Sequence, residues 1–354
     1  MKKILLASVA LTAFAGAAAA EVSFSGSATL GYNDDAAGDH NGYYSDLNVD
    51  VALSATLDNG ITVSAAGDLE EIDAAEGTAA SVTLTISSDN ASLVYGDTEF
   101  AAVSAWSAVG SMDNDGFSEQ DGELVLKGSV TFGDITVSAS QEIVEDAATP
   151  DFTVVGNTSV GVTAALGGAS VAIAYQEASG AQVGTTGVDA DGLLFQDELL
   201  AIRVGTSMAG ADVAFGYADN RTDDAQSTGV SISYPMGAVT VAASYVVEEN
   251  AAGTADDNWD ISVAYAEGAL AVKANTDESD DWGLEGSYDA GNGLVINAGI
   301  DDAGDTNYLA GTYSLGGGAS LLVSFVDTTA VNADDEYGAP DYQDGTTVAV
   351  SFAF

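Results

Sequence analysis

From residue 22 to the last residue the chain keeps one rhythm, and that rhythm admits few folds. Bulky apolar residues occupy alternate positions in short runs, and the runs end in turns built from Gly, Asn or Asp. Within 159–177, Val160, Val162 and Ala164 alternate with Gly161, Thr163 and Ala165. Gly167-Gly168 then turns the chain, and Val171, Ile173 and Tyr175 mark the return. Side chains on an extended strand point alternately to opposite faces, so this pattern predicts two-faced β-hairpins. The unit recurs at 229–247, 261–276 and 308–327. No helical periodicity competes with it beyond the first twenty residues. Tight turns fall on one side of the array. Longer acidic connections, such as 33–42, 177–196 and 327–345, fall on the other. That asymmetry predicts an all-β fold, a transmembrane antiparallel up-and-down β-barrel. Counting hairpins predicts twenty strands.

The two faces say which solvent lies where. Leu47, Val49, Val51, Leu53, Ala55 and Leu57 share one face of their strand, opposite Asp46, Asn48, Asp50, Ala52, Ser54 and Thr56. In the next strand Ile61, Val63, Ala65 and Leu69 oppose Thr62, Ser64, Asp68 and Glu70. A soluble sandwich would alternate too, with its polar face outward. The aromatic residues favour the reverse arrangement. Tyr175, Tyr217, Tyr245 and Phe325 sit on the apolar face near the long connections, and Tyr234, Tyr265, Tyr288 and Tyr313 near the tight turns. Two such girdles match the two interfaces of a bilayer. Lys127, Arg203 and Lys273 fall on the polar face, where charge avoids lipid. The expected lumen wall therefore carries Asp46, Asp50, Asp68, Glu70, Lys127, Glu142, Arg203, Lys273 and Glu285. The stripe Val348, Val350, Phe352 and Phe354 is expected to face hydrocarbon and close the barrel against 22–32.

Residues 1–20 have Lys2 and Lys3, an apolar core from Ile4 and a small-residue end at Ala18-Ala19-Ala20. This layout predicts a secretory signal peptide removed before Glu21, leaving one barrel domain, 21–354. No later stretch approaches the roughly 18 to 20 continuous apolar residues of a membrane helix. The formal net charge is −49, from 55 acidic against 6 basic residues, which repels nucleic acid and attracts cations. The chain has no cysteine, so thiol and zinc-thiolate chemistry are excluded. Its one histidine, His40, lies in an acidic connection without a patterned nucleophile and reads as a solvated loop residue. No catalytic residue is expected, and the chain does not read as an enzyme.

With "EVSFSGSATLGY" at 21–32, "GDTEF" at 96–100 after a fifth strand, and "SFAF" at 351–354, the chain resembles Gram-negative porins. The likeness is to the general-diffusion porins of α-proteobacteria such as Rhodobacter. It implies an outer-membrane homotrimer of sixteen-stranded barrels, passive passage of small hydrophilic solutes, and a third loop folded inward as a constriction. It also implies that Phe354 belongs to an aromatic assembly signal. Loop three would be 96–123, with Asp97, Glu99, Asp113, Asp115, Glu119, Asp121 and Glu123 around an apolar middle at 100–112. The family opposes this loop with an arginine cluster, yet residues 21–126 contain no Lys or Arg. The acidic wall instead predicts a cation-preferring channel. Lys127, Arg203 and Lys273 either pair with loop-three carboxylates or are solvated. The stretch 113–123 fails the EF-hand spacing at Phe117 and Ser118. Asp113, Asp115, Glu119 and Asp121 remain candidates for weak Ca²⁺ binding, with no cofactor required. The alternative function is a structural or adhesive acidic surface β-protein without an open pore.

Overall fold

A computed structural model describes residues 21–34, 42–69, 82–117, 124–145, 152–178, 196–253, 255–328, 336–337 and 342–354. The expected signal peptide, His40 and Glu70 lie outside these residues. The first strands are β1 (Glu21–Asn33), β2 (Gly42–Thr56), β3 (Thr62–Leu69), β4 (Val82–Ser88) and β5 (Ala91–Gly96). A short helix α1 (Ala101–Ala105) precedes β6 (Val125–Phe132), β7 (Ile135–Glu145), β8 (Phe152–Leu166), β9 (Ala169–Gln176) and β10 (Leu199–Met208). Then follow β11 (Ala211–Asn220), β12 (Ala225–Met236), β13 (Val239–Glu249), β14 (Ala255–Glu267) and β15 (Leu270–Asp277). The chain continues through β16 (Trp282–Gly291), β17 (Leu294–Asp301), β18 (Thr306–Gly316) and β19 (Ala319–Thr328). A small hairpin, β20 (Glu336–Tyr337) with β21 (Tyr342–Gln343), comes before the last strand, β22 (Gly345–Ala353).

Twenty of these strands form one antiparallel sheet, and β22 pairs with both β19 and β1, so the sheet closes on itself. The hairpin count holds, and the sixteen strands implied by the family likeness do not. Closure leaves no unpaired edge, which is how a sheet satisfies its backbone in lipid. No helix among the described residues is long and apolar enough to cross a membrane. The turns work as their residues require. Gly167 and Gly168 both have positive φ, 60° and 93°, as the two-residue turn joining β8 to β9 demands.

Parity fixes the faces. Phe24, Leu309 and Phe325 are more than half exposed, at 64%, 56% and 53%, and stand on the apolar parity of their strands. Tyr234, Tyr288 and Tyr313 are exposed near the tight turns and Tyr245 near the other rim, while Tyr175, Tyr217 and Tyr265 are half-buried on the same face. A ring of exposed apolar side chains around a closed sheet is lipid-facing surface. The opposite parity points into the barrel and carries hydroxyls, amides and charges.

The seam between β1 and β22 is closed by backbone and ring together. Gly26 N–H donates to Phe354 O, and Phe354 N–H to Gly26 O, both at 3.0 Å. A Cβ on Gly26 would stand 2.9 Å from the Phe354 ring and 2.3 Å from Asn48 O, so the missing side chain is the seat of the aromatic. Overpacking such a contact costs roughly 1–3 kcal/mol. Gly26→Val and Phe354→Asp should therefore both lower the fraction of refolded chain that migrates as a heat-modifiable barrel in SDS gels. Native-like fractions for both variants would show the seat to be dispensable.

Candidate pore-lining site

Loop three leaves the wall abruptly. Gly96 adopts φ +126°, and a Cβ there would lie 1.9 Å from Val82 O, so only glycine makes this exit beside β4. Helix α1 follows at once, with Phe100, Ala101 and Ala102 buried. Its first N–H groups, which lack partners within the helix, are met by two wall serines. Ala101 N–H donates to Ser140 Oγ at 2.8 Å and Ala102 N–H to Ser159 Oγ at 3.0 Å, with the two hydroxyls 2.9 Å apart. Beneath the helix is Gly161, where a Cβ would come 2.1 Å from Ala101 O.

The loop then lies flat across β11 and β12 because two more glycines clear the wall. Gly216 and Gly229 face each other across the strands. A Cβ on Gly229 would sit 2.4 Å from Val109 O, and one on Gly216 2.9 Å from the Val109 side chain. Val109 and Met112 pack into an apolar cluster with Leu199, Ala214 and Val246 of the inner wall. The far end of the loop is tied by polar groups. Asp113 N–H donates to Glu248 Oε1 at 3.0 Å, Asn114 Nδ2 to Glu248 Oε2 at 2.7 Å, and Asn114 N–H to Ser227 Oγ at 3.0 Å. Asn258 Nδ2 donates to Ser111 O at 2.9 Å. The described part of the loop, 96–117, is thus held by helix, glycine floor and hydrogen-bonded anchor against residues of β7 to β14.

The loop-three carboxylates separate by environment. Glu99 and Asp113 are exposed, whereas Asp97 and Asp115 are half-buried. Trp106 Nε1–H donates to Asp115 Oδ2 at 2.8 Å, and the Trp106 and Phe117 rings pack with centroids 6.1 Å apart. Burial holds the Asp115 carboxyl above the usual range, against the lowering effect of the Trp106 hydrogen bond, and nearby Glu248 and Asp113 add to the rise. Glu119, Asp121 and Glu123 lie outside the described residues. Among the described residues no group of three or more His, Cys, Asp or Glu stands together as a metal site.

On the wall, Ser25 Oγ donates to Asp50 Oδ2 at 3.3 Å, and the register sets Asp46 across from Thr29 and Asp68 across from Asp50. Glu142 sits at a register shift in β7. It is buried, accepts Asn157 N–H at 3.1 Å, and fills the space left by Gly156. Lys273 stands directly opposite Glu285 in register, and Glu285 accepts the Tyr308 hydroxyl at 3.2 Å. Lys127 Nζ donates to Ser104 Oγ at 2.9 Å, and that hydroxyl lies 3.2 Å from Glu99 Oε2. The ion pairs among the described residues are those of Arg221, with Glu198 at 2.8 Å and Asp219 at 3.2 Å. Lys127, Arg203 and Lys273 therefore make no direct ion pair with a described carboxylate.

Sequence reasoning missed a second inward segment. Tyr342 is 2% exposed and packs against the inward-pointing Tyr308, ring centroids 5.6 Å apart. Asn297 Nδ2 donates to its hydroxyl at 2.7 Å. The available hint was Tyr308 itself, a bulky aromatic at lumen parity beside Gly299. Glu248 and Ser227 were missed as well, because at lumen parity they read like any water-facing pair.

A closed barrel with an apolar outside, a polar inside and its own loop laid along the inner wall is the construction of a membrane channel rather than of an enzyme class. A model of the Gram-negative porin family matches residues 7–333, and the chain belongs to that family. It is an outer-membrane diffusion channel. A search of curated proteins found no match. Among solved structures, an engineered Rhodopseudomonas blastica porin is similar at 15% identity and a TM-score of 0.46, covering 94% of this chain and 100% of that one. A porin structure refined at 1.8 Å shares 19% identity with a TM-score of 0.44, covering 94% and 100%. Pseudomonas aeruginosa OccK3 (OpdO) shares 12% identity with a TM-score of 0.47, covering 95% of each.

Proposed function

We propose that the barrel conducts small hydrophilic solutes and ions passively, with a preference for cations, and that loop three forms its constriction. The observation that carries this reading is the imbalance of charge at the inner wall. Asp46, Asp50 and Glu285 line it, Glu99 and Asp113 are exposed on the loop, and the wall cations Lys127, Arg203 and Lys273 are few beside them. Carboxylates around a narrow aqueous path concentrate cations and exclude anions. Residues 1–20 would act as a cleaved export signal, and the family resemblance supports assembly as a homotrimer.

The test is the zero-current potential across a planar bilayer under a KCl gradient. Screening lengths are about 10 Å at 0.1 M and about 3 Å at 1 M. The potential should therefore report strong K⁺ preference in dilute salt and a weaker one toward molar salt. An anion-selective or non-selective potential in dilute salt would overturn the mechanism.

A further inference from the structure

Beneath loop three, on the side of the tight turns, the inner wall opens into a cavity of about 520 Å³. Gly110 of the loop borders it, and Ser170, Arg203, Asp212, Ser231 and Asp260 of five different strands line it. Arg203 is the only arginine among them. Its Nε is buried and has no hydrogen-bond partner. The side chain runs along its strand over Gly205, where a Cβ would stand 3.7 Å from Arg203 Nη1 and 2.7 Å from Ser170 Oγ. The guanidinium thus extends into the cavity over a residue with no side chain.

The two carboxylates of the cavity are held apart from it. Ser207 donates to Asp212, Ser244 donates to Asp260, and neither carboxylate forms an ion pair with Arg203. A positive pole and two negative poles share one chamber without neutralising each other. Among the described residues Arg203 stays unpaired, although the sign of the surrounding field would favour pairing.

We propose that this cavity is a subsite for small zwitterions of the α-amino acid class, the carboxylate meeting Arg203 and the ammonium meeting Asp212 or Asp260. A free anion is repelled before it arrives, a cation gains nothing from Arg203, and an uncharged solute leaves the poles unused. A zwitterion crosses the acidic entrance without net charge and then meets both signs. Guanidinium offers a carboxylate a planar, charge-assisted pair of donors. Occupancy is weak, in the millimolar range, because a passage site has to release what it binds. The proposal rests on the pore reading only in that the cavity opens to the lumen.

The experiment uses the detergent-solubilised barrel, L-alanine as probe and lactamide as its uncharged isostere, read by saturation-transfer NMR. L-alanine should give a saturable signal at millimolar concentration that lactamide does not. Arg203→Gln should weaken it about tenfold, the loss expected of a charge-assisted contact. Asp212→Asn with Asp260→Asn, which keep side-chain volume, form a second arm and should weaken it as well. Arg221→Gln, at the opposite rim, controls for net charge and should keep it. Heat-modifiable migration establishes that each variant is folded. An L-alanine signal no greater than that of lactamide, or one undiminished in both cavity variants, would overturn the subsite. KCl conductance, recorded separately on the same preparations, decides the pore reading: its absence would sink that reading while the NMR signal still decides the cavity.

Discussion

Removing residues 100–116 should raise single-channel conductance in molar KCl by a factor on the order of two, because current through a pore is limited at its narrowest section. The cut takes out α1, the Val109 segment that lies over Gly216 and Gly229, and the anchor at Asp113 and Asn114. It leaves the barrel intact. Gly96 and Val125 are cross-strand partners, so the shortened connection spans only neighbouring strands. Cation preference in dilute salt should fall with it, since Asp113 and Asp115 go too. A conductance equal to that of the native chain would mean that the narrowest point lies elsewhere, with the inward segment at Tyr342 the next place to cut.

Glu248→Ala should produce the largest effect of any single substitution on the quietness of the channel. Glu248 is 6% exposed and accepts Asp113 N–H, the Asn114 amide and the Ser227 hydroxyl. Truncation leaves these donors without their acceptor, at about 1–3 kcal/mol for each buried group. Even discounted for the part that water can reach, a loss of about 2–4 kcal/mol is enough to release the end of loop three. The barrel strands keep their own ladder, so heat-modifiable migration should not change. The current should instead become noisy, with brief partial closures, and amide exchange at residues 111–114 should quicken. Glu248→Gln keeps the shape and one acceptor and should fall between. A quiet recording from the Ala variant would show that the apolar cluster alone holds the loop.

How much of this was legible in the residues depended on which physical force set each feature. Strand positions and parity were legible because lipid outside and water inside impose period two on nearly every strand, as at Val160, Val162 and Ala164. The number of strands was legible for a similar reason: each tight turn announces itself with Gly, Asn or Asp. The sixteen strands implied by the porin likeness failed because "GDTEF" and "SFAF" say nothing about circumference. Hairpins are self-similar units, and adding two of them widens a barrel without altering those motifs. The seats of loop three were not legible. Ser140 and Ser159 look like other lumen-facing hydroxyls until the register places them side by side under the start of a helix. Gly161, Gly216 and Gly229 look like ordinary strand glycines until a loop is laid over them. Tyr342 lies in an acidic connection whose composition reads as solvent-exposed.

The seam between β1 and β22 also bears on the order in which the molecule can be made. Every other barrel pairing joins strands that follow one another along the chain, so hairpins can form early and add one at a time. The seam sets Ser27 against Ala353 and Tyr32 against Val348. Bringing together ends separated by roughly 300 residues costs about 3 kcal/mol more in chain entropy than closing a ten-residue hairpin, on the (3/2)RT ln n scaling. Contacts at such separation are slow to gain. Sealing is then the last and least local event of assembly, and until it happens β1 and β22 are both open edges, able to pair with any other strand that reaches them first.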